Sequence, residues 1–181
     1  MSDHDFDELM TALDPPMVIV TAAHTHERGG CLVGFHAQSG MEPGSISVWL
    51  SKANHTFRVA VFAEHLAVHF LTVDDLELAT AFGTTSGDDV DKFADRQWQP
   101  GPDGVPLLDD CVNRIVGRKR ALLDTRSDHV CVVLDPVETQ HVPPFRPLRL
   151  SDVAHLRAGH EAEERPTPAS TRLGTGTDAE G

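Results

Sequence analysis

The sequence lacks any apolar run approaching the ~20 residues that a membrane-spanning helix needs. Residues 1–8 are acidic and polar, which is typical neither of a secretory signal nor of an Arg-rich transit peptide. Cysteines are few and odd in number, since Cys31, Cys111 and Cys131 occur without a Cys-x-x-Cys pair, each in or beside an apolar stretch. These features predict a cytoplasmic protein with buried free thiols rather than a disulfide framework or a zinc site.

Several catalytic motifs are also missing. The chain has no Walker A loop, no G-x-G-x-x-G after a strand pattern, no G-x-S-x-G, no H-E-x-x-H and no tyrosine. These missing motifs argue against P-loop, Rossmann-type, α/β-hydrolase and zincin chemistry.

Basic residues are scarce. The chain has 15 Lys plus Arg and 28 Asp plus Glu, which gives a formal net charge of −13. Residues 1–140 carry 10 basic and 22 acidic side chains (−12), whereas residues 141–181 carry 5 and 6 (−1). A surface this acidic repels phosphate backbones and anionic lipids, so nucleic-acid and membrane partners are not expected. Any phosphate-bearing ligand must therefore be bound by a local site.

The 181 residues, 40% of them hydrophobic, fit one globular domain. Strands are predicted over 17–23, 31–37, 45–50, 66–71, 111–123 and 130–134, and short helices over 5–13, 54–63 and 74–82. Because strands and helices do not alternate regularly, the pattern favours an antiparallel or mixed barrel over a doubly wound sheet. The prediction is a mainly β domain of residues 1–140 with six strands and a few short helices. An extended, largely disordered tail is predicted for residues 141–181.

Some strands are apolar on both faces, notably residues 130–134. A small barrel buries one face of such a strand inside and needs cover for the other face. A second subunit is one way to supply that cover, so a homodimer is expected.

The segment Ser51-Lys52-Ala53-Asn54-His55-Thr56 lies between a strand end and a helix start. A helix N-terminus presents unpaired amides and partial positive charge, to which this segment adds hydroxyl, amide, imidazole and ammonium donors. These groups can form a phosphate site. The alternative is that Ser51 and Asn54 only cap the helix while Lys52 is solvated.

Two further segments carry candidate groups. In residues 29–38, Gly34 suggests a close approach of backbone or ligand, Phe35 could lie against a ring system, and Gln38 could pair with a planar amide edge. In residues 127–129, Asp128 could orient His129 for proton exchange. The alternatives are a bulged strand and an Asx-turn, respectively.

Metal binding is the competing use of the 11 histidines. The pairs are His24 with His26 and His65 with His69, and no carboxylate or cysteine completes a ligand set near them. No metal site is predicted.

Eight segments carry a resemblance to a known family; in chain order they are GCLVGFHAQSGMEP, SISVWL, SKANHTFRVA, LAVHFL, LATAFG, GDDVDKF, WQPGPDGVPLL and SDHVCVVL. With these segments the sequence resembles the flavin reductase-like family over about residues 6–139. The resemblance implies a six-stranded, FMN-binding split β-barrel that forms a homodimer. It further implies FMN or FAD near the dimer interface and NADH or NADPH as electron donor. Many members pass reduced flavin to a monooxygenase.

The resemblance also implies the roles of particular residues. The isoalloxazine ring would lie against Leu32, Val33, Gly34, Phe35, His36 and Gln38. The flavin phosphate would be bound by Ser51, Lys52, Ala53, Asn54, His55 and Thr56, with Lys92 near the phosphate or the dimer interface. The catalytic residue would be His129, beside the flavin face where the nicotinamide stacks.

The resemblance therefore implies an NAD(P)H-dependent flavin reductase-like oxidoreductase. No side chain accepts a hydride, so the cofactor must do so while the protein orients it. Three alternatives stay open: a flavin-binding module without turnover, used for storage or sensing; a structural or metal-binding barrel; and the same fold with a deazaflavin as electron donor.

Overall fold

The computed structural model describes residues 3–159. The helices within this range are α1 (Asp3–Ala12), α2 (His55–Phe62), α3 (Leu76–Thr84) and α4 (Leu150–Val153). The strands are β1 (Val18–His24), β2 (Glu27–Val33), β3 (His36–Met41), β4 (Gly44–Ser51), β5 (His65–Phe70), β6 (Trp98–Pro100), β7 (Pro106–Leu108), β8 (Arg114–Asp124) and β9 (His129–Gln140). The fold is mainly β, as the sequence predicts.

Seven strands form one antiparallel sheet in the order β2-β1-β5-β8-β9-β4-β3, and β6 and β7 form a separate two-stranded ribbon. The count of six strands is therefore wrong for the described residues. The additional strand of the large sheet arises because the strand predicted over 31–37 is two strands.

The break falls at Gly34 and Phe35, between the end of β2 and the start of β3. Strand β2 pairs with β1 at one edge of the sheet, and β3 pairs with β4 at the other edge. These two residues therefore carry the chain from one edge strand to the other. At this crossing the Trp49 amide donates to the Phe35 carbonyl over 2.9 Å.

Hydrophobic cores lie on both faces of β1. One face contributes Val18 and Val20 to a core that also holds Phe57 of α2. The other face contributes Ile19 to a second core, which includes Phe82 of α3. For β1, the second apolar face is thus covered by the same chain.

The segment 147–159 completes the second core. Leu148 and Val153 are buried there, with Leu150 and Leu156 packed beside them. The Leu148 carbonyl accepts from the Met17 amide over 2.8 Å. The packed part of the chain thus extends beyond the boundary predicted at residue 140. Of the tail predicted over 141–181, residues 160–181 lie outside the described residues.

The three cysteines are buried and free, as predicted. Burial raises the pKa of Cys31 to about 11 and that of Cys111 to about 12. Within residues 3–159, no helix is both long and apolar enough to cross a membrane.

Gly30 in β2 has no room for a side chain. A Cβ placed there would lie 2.5 Å from Cε1 of Phe82, and both Phe82 and Phe93 are buried. We expect Gly30→Ala to lower the free energy of unfolding by about 1–3 kcal/mol, because overpacking forces buried rings to shift. Urea unfolding measures the change.

The matched control is Gly44→Ala, since a Cβ at Gly44 meets nothing within 4 Å. It should unfold close to the wild-type midpoint. Equal stabilities for the two variants would contradict the packing around Gly30.

Candidate functional site

The segment 51–56 joins the end of β4 to the start of α2. Asn54 is the N-cap of α2, and its side chain accepts from the Thr56 amide over 3.5 Å. The Asn54 amide donates to the Ser51 carbonyl over 3.0 Å, which closes the turn before the helix. The predicted cap is confirmed. The Thr56 amide is thereby satisfied, and the positive end of the helix dipole lies at the end of β4.

The start of β9 lies directly beside this segment. Ser51 is the register partner of His129, and the Lys52 amide donates to the Asp128 carbonyl over 2.9 Å. The Lys52 ammonium pairs with the Asp124 carboxylate at 3.0 Å. Two of the sequence-predicted groups, 51–56 and His129, are therefore neighbours in the sheet.

His129 is oriented by its neighbour in the chain. Its Nδ1 lies 3.0 Å from Oδ1 of Asp128, and the hydrogen bond from His129 holds the pKa of that carboxyl below its usual range. With the proton on Nδ1, a neutral ring presents Nε2 as an acceptor. The ring of Phe35, 58% exposed, meets His129 edge-on at a centroid distance of 5.3 Å.

A cavity of about 210 Å³ lies between β2, α2, α3 and the segment 147–159. Three of the predicted cofactor residues, Leu32, Asn54 and Lys92, line it. Its walls are otherwise largely apolar. The charged residues in the lining are Lys92 and Arg157, and no Asp or Glu of the described chain lines it.

Lys92 is the buried cation of this lining. Its ammonium donates to the Gly30 carbonyl over 3.0 Å and to the Phe82 carbonyl over 2.9 Å. Burial lowers the pKa of Lys92. The ammonium thus ties β2 to α3.

His55 is fixed to a neighbouring loop rather than to this cavity. Its Nε2 lies 3.3 Å from the Arg28 carbonyl and its Nδ1 3.1 Å from Asp88, which Arg58 also pairs with. Three other predicted residues have buried side chains, namely Val33, Ala53 and Thr56. These three can reach a ligand only through the backbone.

His36 and Gln38 line a different, mainly apolar cavity of about 420 Å³. His36 Nε2 donates to the Pro16 carbonyl over 2.9 Å, and burial lowers its pKa. The nearest neighbour of a Cβ built on Gly34 would be Sδ of Met17, at an ordinary 3.4 Å. The structure therefore does not bring the residues predicted to line the isoalloxazine together in one cavity.

Part of the cavity wall lies outside the residues predicted from the sequence. The additional lining residues include Met17, Phe82, Leu150, Leu156 and Arg157. The available signal was the three-residue spacing of Leu150, Val153 and Leu156, which is typical of one face of a helix. Within residues 3–159, no three His, Cys, Asp or Glu side chains group as metal ligands.

The sequence matches the family model described as flavin reductase like domain over residues 10–152. The chain belongs to this family. No curated protein matches the sequence significantly.

Solved structures share the fold of this flavin reductase-like protein at low sequence identity. A flavin reductase domain protein from Arthrobacter sp. FB24 has a TM-score of 0.73 and 21% identity, covering 95% of this chain and 100% of that one. The flavin reductase HpaC complexed with NADP+ has a TM-score of 0.68 and 21% identity, covering 79% and 92%. A putative oxidoreductase from Sinorhizobium meliloti 1021 has a TM-score of 0.72 and 17% identity, covering 82% of this chain. The chain spans about half of that protein, 51%.

The chemistry of the site fits the phosphate-bearing end of a flavin nucleotide. The Asn54 side chain at the positive end of α2 is polar, the lining has cations but no carboxylate, and Leu32 and Phe82 provide apolar wall. The cavity of about 210 Å³ is smaller than the several hundred Å³ of a typical ligand pocket. A whole flavin would therefore extend beyond it.

Proposed function

We propose that this chain is an FMN-binding, NAD(P)H-dependent flavin reductase that acts as a cytoplasmic homodimer and supplies reduced flavin, for example to a monooxygenase. The observation that carries the proposal is the junction of the α2 N-terminus with the start of β9. There Asn54 caps the helix and Ser51 pairs with His129. The family match over residues 10–152 and the NADP+ complex of HpaC support it.

The residues divide into two roles. Asn54 and the positive end of α2 would bind the flavin phosphate, and Leu32 would pack against the flavin. His129, held by Asp128, would contact the nicotinamide through Nε2. When bound, FMN would accept the hydride from the nicotinamide, which no side chain can do.

Exposed apolar surface supports the homodimer. Helix α1 carries Phe6, Leu9 and Met10 on one face, Leu13 follows directly after its end, and these four side chains are 42–63% exposed. Contiguous apolar surface of this kind marks interaction sites. Light scattering after gel filtration should give about twice the chain mass of 19.7 kDa. A monomer would contradict this part of the proposal.

The test of function begins with the visible spectrum of the purified protein. FMN is added if the protein is colourless, and NADH or NADPH then follows without oxygen. Flavin absorbance that bleaches supports a reductase and identifies its donor. Bound flavin that never bleaches favours a binding module or another donor such as a deazaflavin. Absence of flavin binding would reject the proposed function.

Asn54→Asp tests whether the flavin phosphate binds at the N-terminus of α2. Aspartate caps helices about as well as asparagine, so stability should hold within about 0.5 kcal/mol. The new carboxylate should repel the phosphate and weaken FMN binding at least about tenfold. Riboflavin, which has no phosphate, should bind as it does to the wild type. Fluorescence titration measures both ligands, and equal losses for the two would contradict the assignment.

A further inference from the structure

Arg157 lies in the wall of the same cavity as Asn54 and Lys92, although these residues are far apart in sequence. Residues 154–159 lie in the part of the sequence predicted to be an extended tail. The fold instead returns this part of the chain to α2 and α3.

The segment holds Arg157 in place from both sides. On one side, Val153 is buried in the second core and Leu156 packs against it. On the other side, the Gly159 amide donates to the Gly83 carbonyl over 3.2 Å. A Cβ on Gly159 would lie 2.4 Å from the Thr84 carbonyl oxygen, so only glycine permits this approach to the end of α3.

Most cations around α2 already have a carboxylate partner, the pairs being Lys52–Asp124, Arg28–Asp91 and Arg58–Asp88. Lys92 donates to two carbonyls. The guanidinium of Arg157, in contrast, has no hydrogen-bond or ion-pair partner among residues 3–159. In a chain of net charge −13, an uncommitted cation in a cavity wall without carboxylates is a strong local attraction for an anion.

We propose that Arg157 binds the flavin phosphate, together with Asn54 and the N-terminus of α2. This inference rests on the proposed function and adds a residue from outside the motifs 51–56 and 127–129. Guanidinium groups suit the role because their planar donors bind two phosphate oxygens at once. The cavity shared with Asn54 favours the flavin phosphate over the phosphates of the nicotinamide nucleotide.

The experiment compares FMN and riboflavin binding by fluorescence titration for the wild type, Arg157→Gln, Arg157→Lys and Arg120→Gln. Arg120 of β8 is the matched control, because it pairs with Asp135 of β9 and its loss changes the net charge equally. We expect Arg157→Gln to bind FMN about tenfold more weakly. Arg157→Lys should regain part of the loss, and riboflavin binding should not change. A thermal melt of each variant confirms that it is folded.

The outcomes separate the inference from the function on which it rests. A wild type that binds no FMN rejects the proposed function itself. A wild type that binds FMN, with Arg157→Gln unchanged for both flavins, overturns the role of Arg157 and leaves the function standing. Equal weakening by Arg120→Gln also overturns it, since overall charge would then explain the effect. Unchanged FMN binding with a raised KM for NADH or NADPH overturns the flavin assignment in favour of the nicotinamide nucleotide.

Discussion

Acidification from pH 7 to pH 5 is expected to lower the free energy of unfolding by about 2 kcal/mol through His69 alone. His69 is 0% exposed, and burial lowers its pKa from 6.5 to about 3. Its Nε2 accepts from the Leu108 amide over 3.1 Å, and its Nδ1 lies 3.3 Å from the Ile19 carbonyl. This pattern fixes a neutral ring with the proton on Nδ1.

The direction of the effect follows from proton binding. In the unfolded chain His69 takes up a proton below about pH 6.5, whereas the folded ring does so only near pH 3. The unfolded state therefore binds more protons throughout this window. The stabilisation is complete above pH 6.5 and is lost progressively as the pH falls towards 3.

Urea unfolding at pH 7.5 and pH 5.0 checks the prediction in the wild type, His69→Gln and His141→Gln. His69→Gln should be less stable at pH 7.5, because it disrupts two buried hydrogen bonds, and should show a smaller drop at pH 5.0. A residual drop is expected from His36, whose pKa burial also lowers. The exposed His141 serves as control and should behave as the wild type. An unchanged drop in His69→Gln would contradict the assignment.

His129→Ala is expected to slow reduction of bound flavin by NADH or NADPH about 100-fold while changing FMN affinity by less than about threefold. The separation is expected because His129 would act at the nicotinamide, whereas Asn54 and the α2 N-terminus would bind the phosphate. Anaerobic stopped-flow absorbance measures the reduction rate, and a fluorescence titration measures FMN affinity.

Asp128→Asn tests whether catalysis depends on the orientation of the His129 ring and not only on its presence. The variant keeps His129 but weakens the hydrogen bond that orients Nδ1, so its rate should fall between those of the wild type and His129→Ala. If the His129→Ala variant reduced bound flavin at the wild-type rate, the catalytic assignment of His129 would be wrong. Loss of FMN binding in this variant would also contradict the assignment.

Local patterns predicted the strands whose residues are buried almost continuously. Strands β1, β4 and β5 lie within one residue of their predicted limits, because their β-branched and apolar runs end at clear turns. The ribbon of β6 and β7 was missed, because proline and glycine dominate that stretch and the pairing of Trp98 with Leu108 is not local. Strand β9 continues past its apolar run to Gln140, because pairing with β8 holds its polar half.

The site was predictable to the extent that it depends on local geometry. The cap at Asn54 follows from a strand end followed by a helix pattern, and the structure confirms it. The pairing of Lys52 with Asp124 and the approach of Arg157 to Asn54 depend on how distant strands meet. The composition of residues 141–181 predicted a tail that includes Arg157. Three apolar side chains at helical spacing were too weak a signal to predict a packed segment there.

Closure of the second core by residues 148–156 has a consequence for synthesis of the protein on the ribosome. Strand β1 and helix α3 are translated well before this segment, yet Ile19 and Phe82 share a core with Leu148 and Val153. Until the segment leaves the exit tunnel, that face of the nascent chain exposes apolar side chains. Chaperones that recognise exposed apolar surface can bind the nascent chain during this interval, which ends when residues 148–156 pack onto the second core.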